Sequence, residues 1–168
     1  MIHSNGKFHI ATYEKNILIL VEGMATKNNT HLFHDFVEKM LAEGFKNFII
    51  DFFQCKGMDS TFMGILLEIS NFKNKDRQSV DLTLTNMTRE CKKCMDSLGI
   101  SKFLKILKEK VELPKLCFQI LEGEECSRDK MIEIVKKAHE ALILCNPVNE
   151  EIFREFLEEL HLETQKKN

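Results

Sequence analysis

The sequence predicts an α/β fold in which a mixed, largely parallel sheet is flanked by helices and followed by a C-terminal helical hairpin. Strand and helix patterns alternate along the first two thirds of the chain, which is typical of a parallel sheet with helical crossovers. Several strand-like runs are continuously apolar, as expected for strands covered on both faces. Beyond residue 125 only a helical period remains. We therefore divide the 168-residue chain into an α/β unit, residues 1–122, and a helical extension, residues 123–168.

Composition and charge exclude several classes of protein. Hydrophobic residues make up 43% of the chain and charged residues 30%, which is the balance of a globular protein. The formal net charge of −2 does not indicate an electrostatic nucleic-acid binder. The longest clean apolar run, residues 17–21, is far shorter than the roughly 18–20 residues that span a bilayer. Residues 1–7 lack the apolar core of a secretory signal. We expect a cytoplasmic protein that binds neither membrane nor nucleic acid.

The α/β unit begins with a predicted hairpin. Residues 8–13 and 16–22 are β-rich runs separated by a polar pair, and Gly23 is expected to end the second strand. A helix then begins at Asn29 or Thr30, the candidate caps, and ends at Gly44. The other predicted elements are a strand at 48–52, a turn at 56–57, a helix starting at Asp59 or Ser60, a strand at 80–85 and a helix at 88–98 closed by Gly99.

The last strand of the unit and the C-terminal helices complete the prediction. Residues 103–107 and 116–120 are both candidates for the last strand. Residues 131–145 follow a helical repeat, Asn146-Pro147 breaks it, and residues 152–160 form a second amphipathic stripe. Two such helices form a hairpin that is too small to bury both of its faces alone. It must pack on the α/β unit or on another subunit, and a homodimer through these helices is one expected use.

The segment with most functional information follows the strand at 48–52 and reads Met58-Asp59-Ser60-Thr61-Phe62-Met63-Gly64. It places an acid and two hydroxyls at the start of a helix, where unpaired N–H groups carry about half a positive charge. Ser60 at such a position caps the helix in most proteins. The same N–H groups also stabilise a phosphate on a hydroxyl. The local sequence alone favours the cap.

The order of these elements resembles the phosphorylation-site region of the STAS family, the anti-sigma factor antagonists. The family pattern is an apolar strand ending in Asp, a short loop, and Asp-Ser-Ser/Thr-Gly-Leu-Gly at a helix start. The resemblance covers roughly the first 107 residues and includes Ser97-Leu98-Gly99-Ile100-Ser101-Lys102-Phe103, which looks like the family's Leu-x-Gly-Leu-x-x-x-Phe. It favours residues 103–107 as the last strand. Two departures are Thr26, where the family often has Asp, and Phe62, where it has Gly.

The resemblance implies a bacterial, non-enzymatic signalling protein in transcription regulation. Ser60 matches the family's phosphoacceptor, with Thr61 as the alternative. The implied partner is a serine kinase, commonly the anti-sigma factor itself, whose binding is switched off when Ser60 is phosphorylated. We expect Phe62 in the core and Met63 exposed. The residues expected to contact the partner are Asp59, Ser60, Thr61, Met63 and Thr26. The alternative use of such a module is a non-enzymatic scaffold that dimerises, regulates a transporter or joins a larger assembly.

Cysteines and histidines suggest competing chemistry. Cys91-x-x-Cys94 lies in the first turns of a predicted helix, where the pKa of a thiol is often lowered, so a redox protein is the less favoured alternative. Zinc requires four ligands, and no second closely spaced Cys/His pair completes a site with Cys91 and Cys94. His31 and His34, with Asp35, are more typical of surface residues than of a metal site. We assign no catalytic residue, metal or cofactor.

Overall fold

The computed structural model describes residues 6–72 and 79–166. Residues 1–5 lie outside the described residues, and so does most of the segment 1–7 that we expect not to be a secretory signal. The fold is mixed α/β with a mostly parallel sheet flanked by helices, as predicted, and the sheet has seven strands within the described residues. The strands are β1 (Lys7–Tyr13), β2 (Asn16–Ala25), β3 (Asn47–Asp51), β4 (Cys55–Met58), β5 (Asp81–Thr85), β6 (Lys105–Ile106) and β7 (Gln119–Ile120). The helices are α1 (Lys27–Ala42), α2 (Ser60–Asn71), α3 (Arg89–Ser97), α4 (Arg128–Cys145) and α5 (Asn149–Gln165).

The sheet has the order β6-β5-β3-β2-β1-β7, and β4 pairs with the far end of β2. The predicted hairpin of β1 and β2 is antiparallel, whereas β2, β3, β5 and β6 run parallel. In the parallel part, Leu18 lies beside Ile49, which lies beside Thr83. The continuous apolar runs of β2 and β3 therefore lie inside the sheet, as their sequences indicate.

The sequence predicted that strand β2 ends at Gly23, and this prediction is wrong. The register between β2 and β4 shifts between Gly23 and Met24, and the strand continues to Ala25. Gly23 has a φ of +74°, a conformation that glycine adopts without steric cost and that is common at β-bulges. Beyond the bulge β2 pairs with β4, which occupies the position where the sequence predicted only a turn.

Both candidates for the last strand form short strands, at opposite edges of the sheet. Lys105–Ile106 pairs parallel to β5, and Gln119–Ile120 pairs antiparallel to β1. The two candidates are therefore not alternatives, because each closes a different edge.

The N-terminus of α1 differs from the prediction. Thr26 is the N-cap, and its side chain and that of Asn29 form a reciprocal capping box. Neither Asn29 nor Thr30 is the cap, because the helix begins earlier than the apolar stripe indicated. The predicted end is confirmed, since Gly44 follows the helix with a φ of +93°.

The C-terminal hairpin packs through α4 against α2, not against the sheet. Helix α4 buries Ile134, Val135, Ala138 and Leu142. Helix α5 has one buried residue, Asn149, whose Nδ2 donates hydrogen bonds to the carbonyl oxygens of Leu98 and Leu142 at 3.1 and 3.0 Å. Within the described residues, no helix combines the length and apolar character needed to cross a bilayer.

Candidate functional site

Ser60 is the first residue of α2, but it does not cap that helix. The cap is Asp59, whose Oδ1 accepts a hydrogen bond of 3.0 Å from the backbone N–H of Phe62. The commonest role of a serine in this position, favoured by the local sequence, is therefore taken by its neighbour. The hydroxyl of Ser60 is left for another partner.

Asp59 also joins two helix N-termini. Its Oδ2 accepts a hydrogen bond of 2.7 Å from the backbone N–H of Lys27, the first residue of α1, which Thr26 caps. One carboxylate thus satisfies unpaired N–H groups of α1 and α2, whose partial positive charges stabilise it. Asp59 and Thr26, both expected to contact a partner, each have a capping role within the chain.

The hydroxyl of Ser60 lies against a histidine of the C-terminal hairpin. Ser60 Oγ is 2.8 Å from His139 Nε2, and His139 Nδ1 is 2.7 Å from the carbonyl oxygen of Val135. A carbonyl only accepts, so Nδ1 carries the proton of the neutral ring and Nε2 is the acceptor. The Ser60 hydroxyl therefore donates to His139.

The ring of His139 is enclosed and neutral. His139 is 2% exposed. The centroid of its ring lies 4.7 Å from that of Phe153 and 4.8 Å from that of Phe156. Burial lowers the pKa of His139 below its usual 6.5, although the hydrogen bond to Val135 acts in the opposite direction. Ser60 itself is partly exposed.

Most of the rest of α2 is buried, namely residues 61–67 and Ile69. Phe62 lies in the core as predicted, with its ring centroid 5.0 Å from that of Phe33 and 5.8 Å from that of Phe8. Met63 was expected to be exposed but is 4% exposed. Thr61 is buried as well, so its hydroxyl is less accessible than that of Ser60. The expected exposure of Met63 is wrong because α4 packs along this helix.

Glu68 is a second polar group near α4. Its Oε1 is buried and, among the described residues, has no hydrogen-bond partner. Burial raises the pKa of its carboxyl from 4.5 to about 7. The charges of Glu38 and Glu140 add to this rise, and Lys137 opposes it.

The structure pairs Cys91 with Cys55 of β4. Their Sγ atoms are 3.4 Å apart, and both residues are buried. Their hydrogen bond lowers the pKa of Cys91 and raises that of Cys55. Cys94, the other member of the sequence motif, is partly buried on α3. This arrangement does not support a Cys91–Cys94 redox site, because a buried thiol lacks the access that reactive cysteines need.

The histidines of α1 have separate contacts. His31 Nε2 lies 3.3 Å from the carbonyl oxygen of Glu124, whereas His34 forms a cluster with Asp35 and Glu38. The ligand atoms of that cluster lie within 4.8 Å of one another. Asp35 is, however, in an ion pair of 2.5 Å with Lys130, which competes with any cation for its carboxylate.

His139 is the site residue that the sequence did not reveal. It follows Ala138 and lies four positions after Val135, on the apolar stripe of α4. The sequence feature that could have identified it is a single histidine on an otherwise apolar helical stripe. Its partner could not be identified, because Ser60 is 79 positions away.

Comparison with known proteins identifies the family. A family model described as the STAS domain matches residues 8–113, more than half of the chain. The chain is a member of the STAS domain family. The match begins at the second residue of β1, includes β2 through β6 and ends before α4, so it does not include the hairpin. A comparison with curated proteins finds no significant match.

Two solved structures share the STAS fold at low sequence identity. One, from Thermotoga maritima and described as an anti-sigma factor antagonist, is 15% identical, with a TM-score of 0.50. The alignment covers 59% of this chain and 84% of that one. The other is an anti-sigma factor antagonist from Mycobacterium paratuberculosis, with 10% identity, a TM-score of 0.54, and coverage of 62% and 87%. These likenesses establish the fold.

Proposed function

We propose that this STAS domain is a non-enzymatic, cytoplasmic binding module whose partner is an anti-sigma factor that is also a serine kinase. Phosphorylation of Ser60 switches the binding off. The observation that supports this most is the position of Ser60, partly exposed at the first residue of α2, with Asp59 as the cap. Its hydroxyl is therefore not needed to start the helix, and modifying it leaves the cap in place.

The proposed switch acts through charge. The γ-phosphoryl group of ATP is transferred to Ser60 Oγ: the Oγ–P bond forms, the bond to the ADP oxygen breaks, and the hydroxyl proton goes to a base of the kinase. The product carries about −1.5 to −2 charges. Burying such a group without compensation in an interface costs several kcal/mol, and about 3 kcal/mol weakens binding roughly a hundredfold.

The hairpin supports a second candidate, a STAS scaffold that associates through its C-terminal helices. Four large apolar residues of the hairpin are more than half exposed: Leu144 on α4, Val148 in the turn, and Ile152 and Leu162 on α5. Large exposed apolar patches are typical of association surfaces. In a scaffold of this kind, Ser60 has no regulatory role.

The decisive experiment combines phosphorylation with binding. The purified chain is incubated with ATP and each anti-sigma kinase encoded by the same genome, and phosphosites are mapped by mass spectrometry. We expect one phosphate, on Ser60, which is absent in Ser60→Ala and retained in Ser101→Ala as the control. Ser60→Asp is expected to bind that kinase at least tenfold more weakly than Ser60→Ala. Phosphate at other sites would overturn the proposal, and equal binding of both variants would favour the scaffold.

A further inference from the structure

Helix α4 occupies a line of residues on α2 that begins at the proposed phosphorylation site. Ser60, Gly64 and Glu68 are spaced four residues apart and so lie on one side of α2. Ser60 contacts His139, Gly64 contacts Ala138, and the charges of Lys137 and Glu140 act on Glu68. We call the surface formed by Ser60, Gly64 and Glu68 the α2 groove.

We infer that the α2 groove is a helix-binding site with α4 as its resident occupant, and that a partner reaches Ser60 by presenting a helix that displaces α4. This inference rests on the proposed function, because it concerns access to the same serine. It identifies the partner element by its chemistry: an amphipathic helix with a small residue at the crossing point and a hydrogen-bond acceptor beside it.

The small residue is required by the close approach of the two helices. A β-carbon at Gly64 would lie 2.7 Å from Ala138 Cα, and closer still to the carbonyl group of Ala138. Contact is therefore between backbones, and a larger side chain at either position separates the helices. The acceptor is required because the Ser60 hydroxyl is partly buried and donates to His139, the residue after Ala138.

The attachment of α4 is weaker than the packing of the sheet. Its buried residues contact α2, but the interface includes Glu68 Oε1, which is buried without a hydrogen bond. Its tie to α1, the Lys130–Asp35 ion pair, is exposed to solvent, where such pairs contribute little. Most of the buried apolar residues of α4 belong to the same core as β2 and β3, but β2 and β3 are also joined by a continuous ladder of backbone hydrogen bonds. Local opening follows such differences in stability.

The STAS fold itself does not require the hairpin. The STAS match ends at residue 113, and the two antagonist structures align over 84% and 87% of their own lengths with about three fifths of this chain. The residues that match the STAS domain therefore contain β6 and α1 to α3 but neither α4 nor α5. In this chain the hairpin is an addition that covers the α2 groove.

A phosphate on Ser60 opposes the packing of α4 in the groove. In the closed state, Ser60 Oγ and His139 Nε2 are 2.8 Å apart and share one proton. A phosphoryl group replaces that proton with three acceptor oxygens facing a neutral acceptor nitrogen, beside two phenylalanine rings. Closure on a phosphate would require His139 to take up a proton, which burial of the ring disfavours, so we expect phosphorylation to favour the open hairpin. The apparent affinity of a partner for the groove is lowered in proportion to the fraction of chains that are open.

A peptide experiment tests the groove. The probe is a fluorescent synthetic peptide of residues 127–146, and the protein is the full chain with Ala138→Leu, which alters α4 and leaves α2 intact. We expect the peptide to bind this variant at least tenfold more tightly than the wild-type chain, and Ser60→Asp in the same background to weaken binding at least tenfold. A peptide with Ala138→Leu is the matched control and should not bind. Equal binding to both chains, or to neither, overturns the inference.

Hydrogen exchange on the full chain gives a second test that applies even if Ala138→Leu does not fold. Amides of α4 are expected to exchange at least tenfold faster than those of β3, and to accelerate further in Ser60→Asp by more than in Ser60→Ala, which loses only the hydrogen bond to His139. If α4 and β3 exchange together in all three proteins, the groove does not open and the inference is wrong. Neither test uses a kinase. If no anti-sigma kinase phosphorylates the chain, the proposed function is refuted, and the results of these two tests are unaffected.

Discussion

Gly64 of α2 meets Ala138 of α4 backbone to backbone, at the point where the two helices cross. Because of this contact, helix propensity and packing have opposite effects on stability when Gly64 is replaced. In an isolated helix, replacing Gly by Ala stabilises by about 1 kcal/mol. At Gly64 the added methyl group overlaps the backbone of Ala138, which cannot rotate away as a side chain does.

Gly64→Ala is therefore expected to destabilise the protein by about 2 kcal/mol, which corresponds to a loss of roughly 4–8 °C in Tm for a domain of this size. The measurement is thermal unfolding followed by circular dichroism. Gly57→Ala is the matched control, because a β-carbon there meets only the flexible end of Met24. A rise in Tm for Gly64→Ala would show that α4 does not pack on α2 in solution.

Glu68 makes stability depend on pH. Because its folded pKa is raised from 4.5 to about 7, the unfolded chain loses the proton first. The ionised carboxylate therefore disfavours folding above pH 4.5, and the full cost is present above about pH 7. Glu68→Gln should stabilise the protein at pH 8 by on the order of 1 to 2 kcal/mol, after allowance for partial exposure, and should have little effect at pH 4.

The measurement for Glu68 is urea unfolding of both proteins at pH 4, 6 and 8. Glu158→Gln, an exposed change on α5, is the control for the loss of one negative charge. A stabilisation by Glu68→Gln that is the same at every pH would contradict the buried position of this carboxyl.

Asn149 attaches the turn of the hairpin to the α/β unit. Its Nδ2 donates to two carbonyl oxygens, those of Leu98 and Leu142. Asn149→Ala removes both donors and is expected to cost about 1–3 kcal/mol. Asn149→Asp should cost more, because a carboxylate presents only acceptors to those carbonyls. Chemical unfolding checks the order, and equal stability of the two variants would argue against these hydrogen bonds.

Thiol reactivity distinguishes the buried cysteine pair from an exposed one. Cys117 is exposed, whereas Cys55 and Cys91 are buried. A short pulse of N-ethylmaleimide on the native chain should label Cys117 first and leave Cys55 and Cys91 unlabelled until urea is added. Peptide mass spectrometry gives the sites. Labelling of Cys91 as fast as Cys117 would restore the redox hypothesis for the Cys91-x-x-Cys94 motif.

The sequence predicted those parts of the fold that depend on local patterns. Continuous apolar runs identified β2 and β3, and glycines after α1 and α3 marked the ends of those helices. Strand β4 was missed because its sequence, with Lys56 and Gly57, resembles a turn. It is a strand only because β2 continues past its bulge and supplies a partner, and no short window of sequence contains that information.

The candidate site was also predicted only in part. The order of elements identified Ser60 as the residue of interest, but not its surroundings. Asp59 and Thr26 became caps because two helix starts lie side by side, which depends on tertiary packing. Met63 is buried because of a helix that follows much later in the chain. Contacts of this kind are set by packing between distant elements, so periodicity alone does not reveal them.

The position of α4 late in the chain has a consequence for biosynthesis. Ser60 leaves the ribosome 79 residues before His139, which at about 5–20 residues per second is roughly 4 to 16 s. During that time the nascent chain has most of its sheet and the helix α2, whose side that faces α4 in the finished fold is still uncovered. We expect the yield of native protein to depend on translation speed and on chaperones that shield this helix until α4 is synthesised.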